Sequence, residues 1–356
     1  MVRRILAVVS LIVVAESCAL AEISSTGEHH TSRLLGPADQ TRPAWAPVRP
    51  LLGNRDFTPL LDRLLKSDDA SECARAAFLL GMLAERDFAD RIASLLRHPQ
   101  RSVRVSAGLG LGFLGDERGI HVCETVLKFD PDWMRYYAVY ALWYMNTPRA
   151  TAVLKRNSST GIPMVDKAIR DALKTRHAVP TGQWQPPLEE GYEPTADELW
   201  ALVVDVFIAE SDQWWHRGDF SQTIRCQEAA LFFDPTYTEG YSLIAWLQWS
   251  GGDDAAAIKT LRRGIDAVPD SPDTWGALGQ HYTTTKRCEL ALEPLRKGVE
   301  LGGDHLIRRP YAHCLEKLGK LEECLAQWEA IVKECPDDPA APLNAERLRK
   351  KIAEQG

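Results

Sequence analysis

No Cys-x-x-Cys pair occurs among the eight cysteines of this 356-residue chain. Zinc ribbons and thioredoxin-like redox centres depend on that spacing, so neither chemistry is indicated. His-Glu-x-x-His, Gly-x-Ser-x-Gly and the phosphate-binding P-loop pattern are also missing. The metalloprotease, serine-hydrolase and nucleoside-triphosphatase readings therefore lose the residues they need. Basic excess is lacking too: 42 Lys+Arg stand against 49 Asp+Glu, a formal net charge of −7. Such a balance offers little to a phosphate backbone or an anionic membrane, and no nucleic acid is expected as a partner. Past residue 21 no apolar run reaches the roughly 20 residues that cross a bilayer, so no integral span is expected once the N-terminus is removed. Strand-like alternation is absent as well, which leaves helices to bury an apolar content of 45%.

What is present begins with a targeting pattern. Arg3 and Arg4 precede an apolar run from Ile5 to Ala15, and Ala19-Leu20-Ala21 supplies small residues at the two positions a signal peptidase reads. This predicts a signal peptide over 1–21 and an exported chain, periplasmic or extracellular, with an uncleaved anchor or a buried helix as the alternative. Glu16 before Cys18 argues against a lipid anchor at that cysteine. Cleavage after Ala21 removes Arg3, Arg4 and Glu16 and moves the formal charge from −7 to −8. The cysteines then left are Cys73, Cys123, Cys226, Cys288, Cys314, Cys324 and Cys335. Their odd number fits no disulfide framework, although an oxidising compartment leaves one or two bridges open without indicating the pairs.

Residues 22–50 read as a disordered leader punctuated by Pro37, Pro43, Pro47 and Pro50. His29-His30 falls there without a third ligand nearby and reads as solvated tail. Residues 178–194, with Pro180, Pro186, Pro187 and Pro194 around Gly182 and Gly191, read as a linker between blocks at 51–177 and 195–356. The first block carries 19 Lys+Arg against 15 Asp+Glu, the second 18 against 27. Drift of solvated faces accounts for this asymmetry more simply than distinct partners do. Asn157-Ser158-Ser159 is a glycosylation acceptor only in a eukaryotic host.

The first block repeats itself. At an offset of 31 residues Ala76, Leu80, Gly81 and Leu83 meet Ala107, Leu111, Gly112 and Leu114. A second shift brings Arg104, Ala107, Leu111 and Leu114 onto Arg135, Ala138, Leu142 and Met145. Each unit reads as two helices, the clearest being Val103–Leu114 followed by Ile120–Phe129, because Val103, Ala107, Leu111 and Leu114 recur at helical spacing. Leu60–Leu65 reads as part of an incomplete first unit, and Met164–Leu173 as a terminal helix. The phrase Val103-Arg104-Val105-Ser106-Ala107-Gly108-Leu109-Gly110-Leu111-Gly112-Phe113-Leu114-Gly115-Asp116 resembles short HEAT-like repeats rich in alanine and glycine. Within it, Gly110, Gly112 and Gly115 also satisfy Gly-x-Gly-x-x-Gly, with Asp130 about where a ribose-binding acid would sit. The 31-residue echo and the lack of strand–helix alternation argue against a dinucleotide cofactor there, and no cofactor is expected.

The second block carries a sharper signature. Trp275-Gly276-Ala277-Leu278-Gly279-Gln280-His281-Tyr282 resembles the opening W-x-x-L-G-x-x-Y of a tetratricopeptide repeat, Ala291 follows at the small-residue position, and Pro235 and Pro269 stand 34 residues apart. Four units are expected, at about 204–237, 238–271, 272–304 and 305–338, with a closing helix over 340–354. The fold class is thus all-α: two α-solenoids, a HEAT-like superhelix followed by a tetratricopeptide array.

The resemblance implies a peptide groove lined by the first helix of each unit. It nominates Asp205, Asp212, Trp215 and His216, then Glu239, Ser242, Trp246 and Trp249, then Asp273 and Gln280, and finally Arg309, His313, Glu316 and Lys317. Trp246 and Trp249 serve either as anchors for an apolar side chain or as packing between helices. The Lys–Asn–Arg carboxylate clamp of some family members is missing and acids stand in its place, which favours a basic or apolar peptide. The expected function is an exported, non-enzymatic scaffold for partner proteins. A structural part of an envelope assembly and an enzyme with a motif-less site between the blocks are the alternatives.

Overall fold

The computed structural model describes residues 57–174 and 194–354. The expected signal peptide, the leader and all but the last residue of the 178–194 stretch lie outside the described residues. Among the described residues there are 17 α-helices and no strand. Two compact units divide after Ala229.

In the first unit, α1 (Thr58–Leu64) precedes the pair α2 (Ala70–Met82) and α3 (Ala89–Ser94), the pair α4 (Arg101–Phe113) and α5 (Ile120–Phe129), the pair α6 (Asp132–Met145) and α7 (Pro148–Arg156), and α8 (Pro163–Lys174). The first helices begin at residues 70, 101 and 132, which is the 31-residue period of the sequence. Each packs on the next, α2 on α4 and α4 on α6. Alanine and glycine set the spacing: Ala76, Ala77, Ala107, Ala138 and Ala141 have no exposed surface. A Cβ added to Gly81 would lie 2.3 Å from the Cα of Gly110, so these two helices cross backbone against backbone. Gly110 and Gly112 are therefore helix-crossing residues. Asp130, the other half of the cofactor decoy, takes a two-pronged ion pair from Arg101 at 2.8 and 2.6 Å.

The same unit continues with α9 (Ala196–His216) and the first part of α10 (Phe220–Phe233). α9 begins at Ala196, at the start of the block expected over 195–356, and so extends ahead of the unit expected at about 204–237. Thr195 caps it, its hydroxyl accepting the Glu198 amide at 3.2 Å. Leu199, Trp200 and Val203 then add a buried turn, and the Trp200 indole N–H donates to Glu72 of α2 at 2.9 Å. Burying that turn against the HEAT-like helices is why the compact unit runs past the proline-rich stretch and ends only at Ala229.

The second unit holds the pairs α11 (Thr238–Ser250) with α12 (Asp254–Ala267), α13 (Pro272–Thr284) with α14 (Cys288–Glu300), and α15 (His305–Lys317) with α16 (Leu321–Glu334), closed by α17 (Ala341–Ala353). Thr238 and Pro272 begin first helices 34 residues apart, and Asp254 and Cys288 begin second helices at the same interval. Ala257 and Ala291 are fully buried where the helices of a pair cross, and a Cβ on Gly279 would meet Leu295 Cγ at 2.4 Å. Pro235, Pro269 and Pro336 each follow a helix end by two residues, since proline disfavours helical geometry in the residue before it. One core runs through this unit from Ala245 to Leu348. All seven described cysteines are free thiols, and only Cys335 is not buried.

Candidate functional site

Helical spacing decides which side chains share a face: at 3.6 residues per turn, positions i, i+3, i+7 and i+11 line one stripe. On α11 that stripe is Glu239, Ser242 and Trp246, with Trp249 beside it; on α13 it is Asp273, Gln280 and Thr284; on α15 it is Leu306, Arg309, His313 and Lys317. Neighbouring first helices touch, so the stripes lie side by side within the second unit.

Individual residues differ in what they leave available. Glu239, Ser242, Asp273, Gln280, His313 and Lys317 are exposed, and Trp246 and Trp249 are half-buried. Trp249 leans on the core and meets the ring of His281 edge-on at 6.2 Å. Gln280 donates to Thr284 of its own helix at 3.4 Å. Arg309 pairs with Asp338, while its Nε is buried without a hydrogen-bond partner. His313 meets the buried Trp328 edge-on at 5.4 Å. Trp215 and His216 belong to α9 of the first unit, where Trp215 packs on Phe220 at 5.5 Å and His216 stands 3.4 Å from Asp212, one turn earlier. Asp205 is exposed on the same helix.

The face formed by the three stripes is graded in charge. Partial burial, with Glu239 and Asp304 as neighbours, holds the Asp273 carboxyl above its usual range, so the early turns of the three first helices form an acidic corner. The opposite end is balanced. Arg347 donates to Glu316 at 2.6 and 2.7 Å and Lys351 approaches at 3.3 Å, which together hold the Glu316 carboxyl at about 2. Desolvation of the ring where it packs on Trp328 pushes the His313 imidazole down. The arrangement suits recognition by one cation and one or two apolar side chains.

Three features of this unit escaped the sequence. Leu306 shares the α15 stripe and is an apolar side chain left 52% exposed. Its signal was available, because it lies seven residues before His313, as Glu239 lies before Trp246. Leu343 stands 68% exposed on α17. Asp254 joins the start of α12 to α13 and α14, accepting Arg287 at 2.8 Å through both oxygens and meeting His281 at 2.9 Å. Arg287 foremost, then His281, holds the Asp254 carboxyl below its ordinary value.

The first unit hides a polar cluster that composition gave no reason to expect. Arg225 of α10 is fully buried and donates to Tyr137 OH at 2.9 Å, Glu210 Oε1 at 2.9 Å and Gln222 Oε1 at 2.6 Å. Its guanidinium lies 4.8 Å from the ring centre of Tyr136, and Trp214 gives Glu210 a second bond at 3.0 Å. Burial raises Cys226 and Tyr136 well above their ordinary values, so both stay protonated. These bonds tie α9 and α10 to the aromatic face of α6.

Taken together, the described residues form an all-α repeat protein, with helix pairs at a 31-residue interval in the first unit and at a 34-residue interval in the second. Residues 57–143 match the family described as HEAT repeats. No curated protein matches the chain significantly. Among solved structures it is similar to MamA, at 16% identity over 43% of this chain and 84% of that one, with a TM-score of 0.36. It is also similar to YrrB, described as a TPR protein with an unusual peptide-binding site, at 21% identity over 42% and 77%, TM-score 0.34. A thermophilic TPR protein of Thermus thermophilus shares 16% identity over 43% and 90%, TM-score 0.34. Among the described residues no helix is long and apolar enough to cross a membrane, and no three His, Cys, Asp or Glu side chains cluster as metal ligands.

Proposed function

We propose that the protein is an exported, non-catalytic adaptor whose second unit holds a segment of a partner protein in the groove of α11, α13 and α15. Helical repeats of this kind present long surfaces and typically serve as binding scaffolds. The observation that carries the reading is the three aligned stripes, in which the half-buried Trp246 and exposed Leu306 stand beside the acidic corner of Glu239, Asp273 and Asp304. Aromatic and apolar anchors bury much area with few rotors to freeze, and the acids select a lysine or arginine next to them. The signal pattern of residues 1–21 supports export, to the periplasm or outside the cell.

Affinity capture from envelope extract with the native chain and with a Trp246→Ala/Trp249→Ala double variant tests the groove. Helicity should be retained and groove-bound partners lost from the variant. An unchanged partner set would remove the groove from the reading. Mass spectrometry of the mature protein from the envelope fraction should find it beginning at Glu22. A cytoplasmic chain that keeps residues 1–21 would end the export proposal.

A further inference from the structure

A second surface lies on the other side of α13. Trp275, Leu278 and Tyr282 project there, about half a helical turn away from Asp273 and Gln280. With Arg262, Ile265 and Asp266 of α12 and Glu289, Leu290, Glu293 and Pro294 of α14, they line an open cleft of about 490 Å³. The floor is apolar and the rim is charged, which is the layout of a specific recognition site.

Two properties of the rim identify its occupant. First, Leu290 is 56% exposed at the cleft edge, a large apolar side chain left in water. Pro294, four residues on within α14, supplies no N–H, so the Leu290 carbonyl also lacks its helical donor. Second, Asp266, Glu289 and Glu293 form no ion pair with any described residue, whereas most acids of the next pair are matched: Glu334 by Arg308, Glu329 by Arg349 and Glu316 by Arg347. Arg262 is the sole cation of the lining, so the rim keeps a negative excess beside uncovered apolar surface.

We propose that this cleft docks a partner segment in which an apolar side chain is flanked by lysine or arginine. The apolar side chain enters between Leu290, Trp275 and Tyr282, and its cationic neighbours meet Glu289, Glu293 and Asp266. The site is independent of the groove and does not rest on the function proposed above.

The test uses the full mature chain and a fluorescein-labelled alanine-based peptide carrying one leucine between lysine pairs, with a counterpart in which glutamates replace the lysines. Fluorescence anisotropy should give saturable binding of the lysine peptide, weakened by salt, and at least about tenfold weaker binding of the glutamate peptide. In a Trp246→Ala/Trp249→Ala background, which lacks the tryptophans of the α11 stripe, Leu290→Asp and the pair Glu289→Lys/Glu293→Lys should each weaken the lysine peptide by about tenfold. All three substitutions are on accessible side chains, and circular dichroism checks that the fold is retained. Equal binding of both peptides, no saturable binding in that background, or binding there that Leu290→Asp leaves unchanged would overturn the proposal. So would a second copy of this chain as the occupant, seen as concentration-dependent dimerisation that Leu290→Asp abolishes in sedimentation experiments.

Discussion

Replacing Gly81 by alanine adds one methyl group where two helix backbones touch. The new Cβ would sit 2.3 Å from Gly110 Cα and 2.5 Å from the Gly110 carbonyl oxygen. Non-bonded carbons settle at about 3.5–4.0 Å, so α2 and α4 must part by roughly an ångström. Neither contact is a side chain that can swing aside, and the neighbouring Ala77, Leu80, Ala107 and Leu111 are fully buried, so the opening spreads through the core. Overpacking of this kind costs about 1–3 kcal/mol, while alanine in a helix recovers about 0.5–1 kcal/mol. A net loss of about 1–2 kcal/mol is expected. Gly251→Ala is the control: its φ of −78° suits any residue and its nearest neighbours would be 3.4 Å from a Cβ, so stability should hold or rise slightly. Urea unfolding followed by circular dichroism measures the change, and hydrogen exchange on peptides from α2 and α4 locates it. A Gly81→Ala chain as stable as the native one, with unchanged exchange in both helices, would refute backbone contact as the reason for glycine here.

Arg225→Ala should destabilise the first unit by about 3–5 kcal/mol, because it leaves the buried Glu210 carboxylate without its cation, whereas Tyr137→Phe should cost only about 1 kcal/mol. Thermal unfolding of both variants checks the contrast, and equal losses would argue that Arg225 is held by packing alone. Glu316→Gln should cost about 1–2 kcal/mol at neutral pH, the half-exposed Arg347 partner being partly screened by solvent. Because Arg347 lowers the Glu316 carboxyl from 4.5 to about 2, its contribution is complete above the unfolded carboxylate range and vanishes as pH falls through about 2. The stability difference between native and Glu316→Gln chains should therefore be flat above about pH 5.5 and close toward zero below about pH 2, as measured by denaturant unfolding across pH. A difference that persists unchanged to the lowest pH would assign the effect to something other than this carboxylate.

The parts of the fold that could be read in advance are those where one residue type has one physical use. Alanine and glycine at a 31-residue interval admit close helix crossings, and the first helices begin at residues 70, 101 and 132 accordingly. Trp275, Leu278, Gly279 and Tyr282 at their motif spacing lie within α13 as anticipated, and the prolines stop the helices they were expected to stop. Parts of the candidate sites were less legible. Leu306 had the right spacing but no polar character to attract notice. Arg225 looks like any surface arginine on an amphipathic helix, and nothing local signals that Tyr137, 88 residues earlier, receives its bond. Glu289, Leu290 and Glu293 read as the wet side of α14, and only the packing of α12 and α13 beside them makes a cleft.

Periodicity alone determined that the chain is helical, that its helices come in pairs and that two repeat lengths follow one another. These are consequences of local geometry, because a helix exposes every third or fourth residue to its neighbour and a repeat must present the same small residues at each crossing. Tertiary structure decided where the first compact unit ends, which arginine is buried, and which acids keep no partner. Those outcomes depend on which distant surfaces meet, and desolvation of a charge is set by what covers it rather than by the residues beside it in sequence.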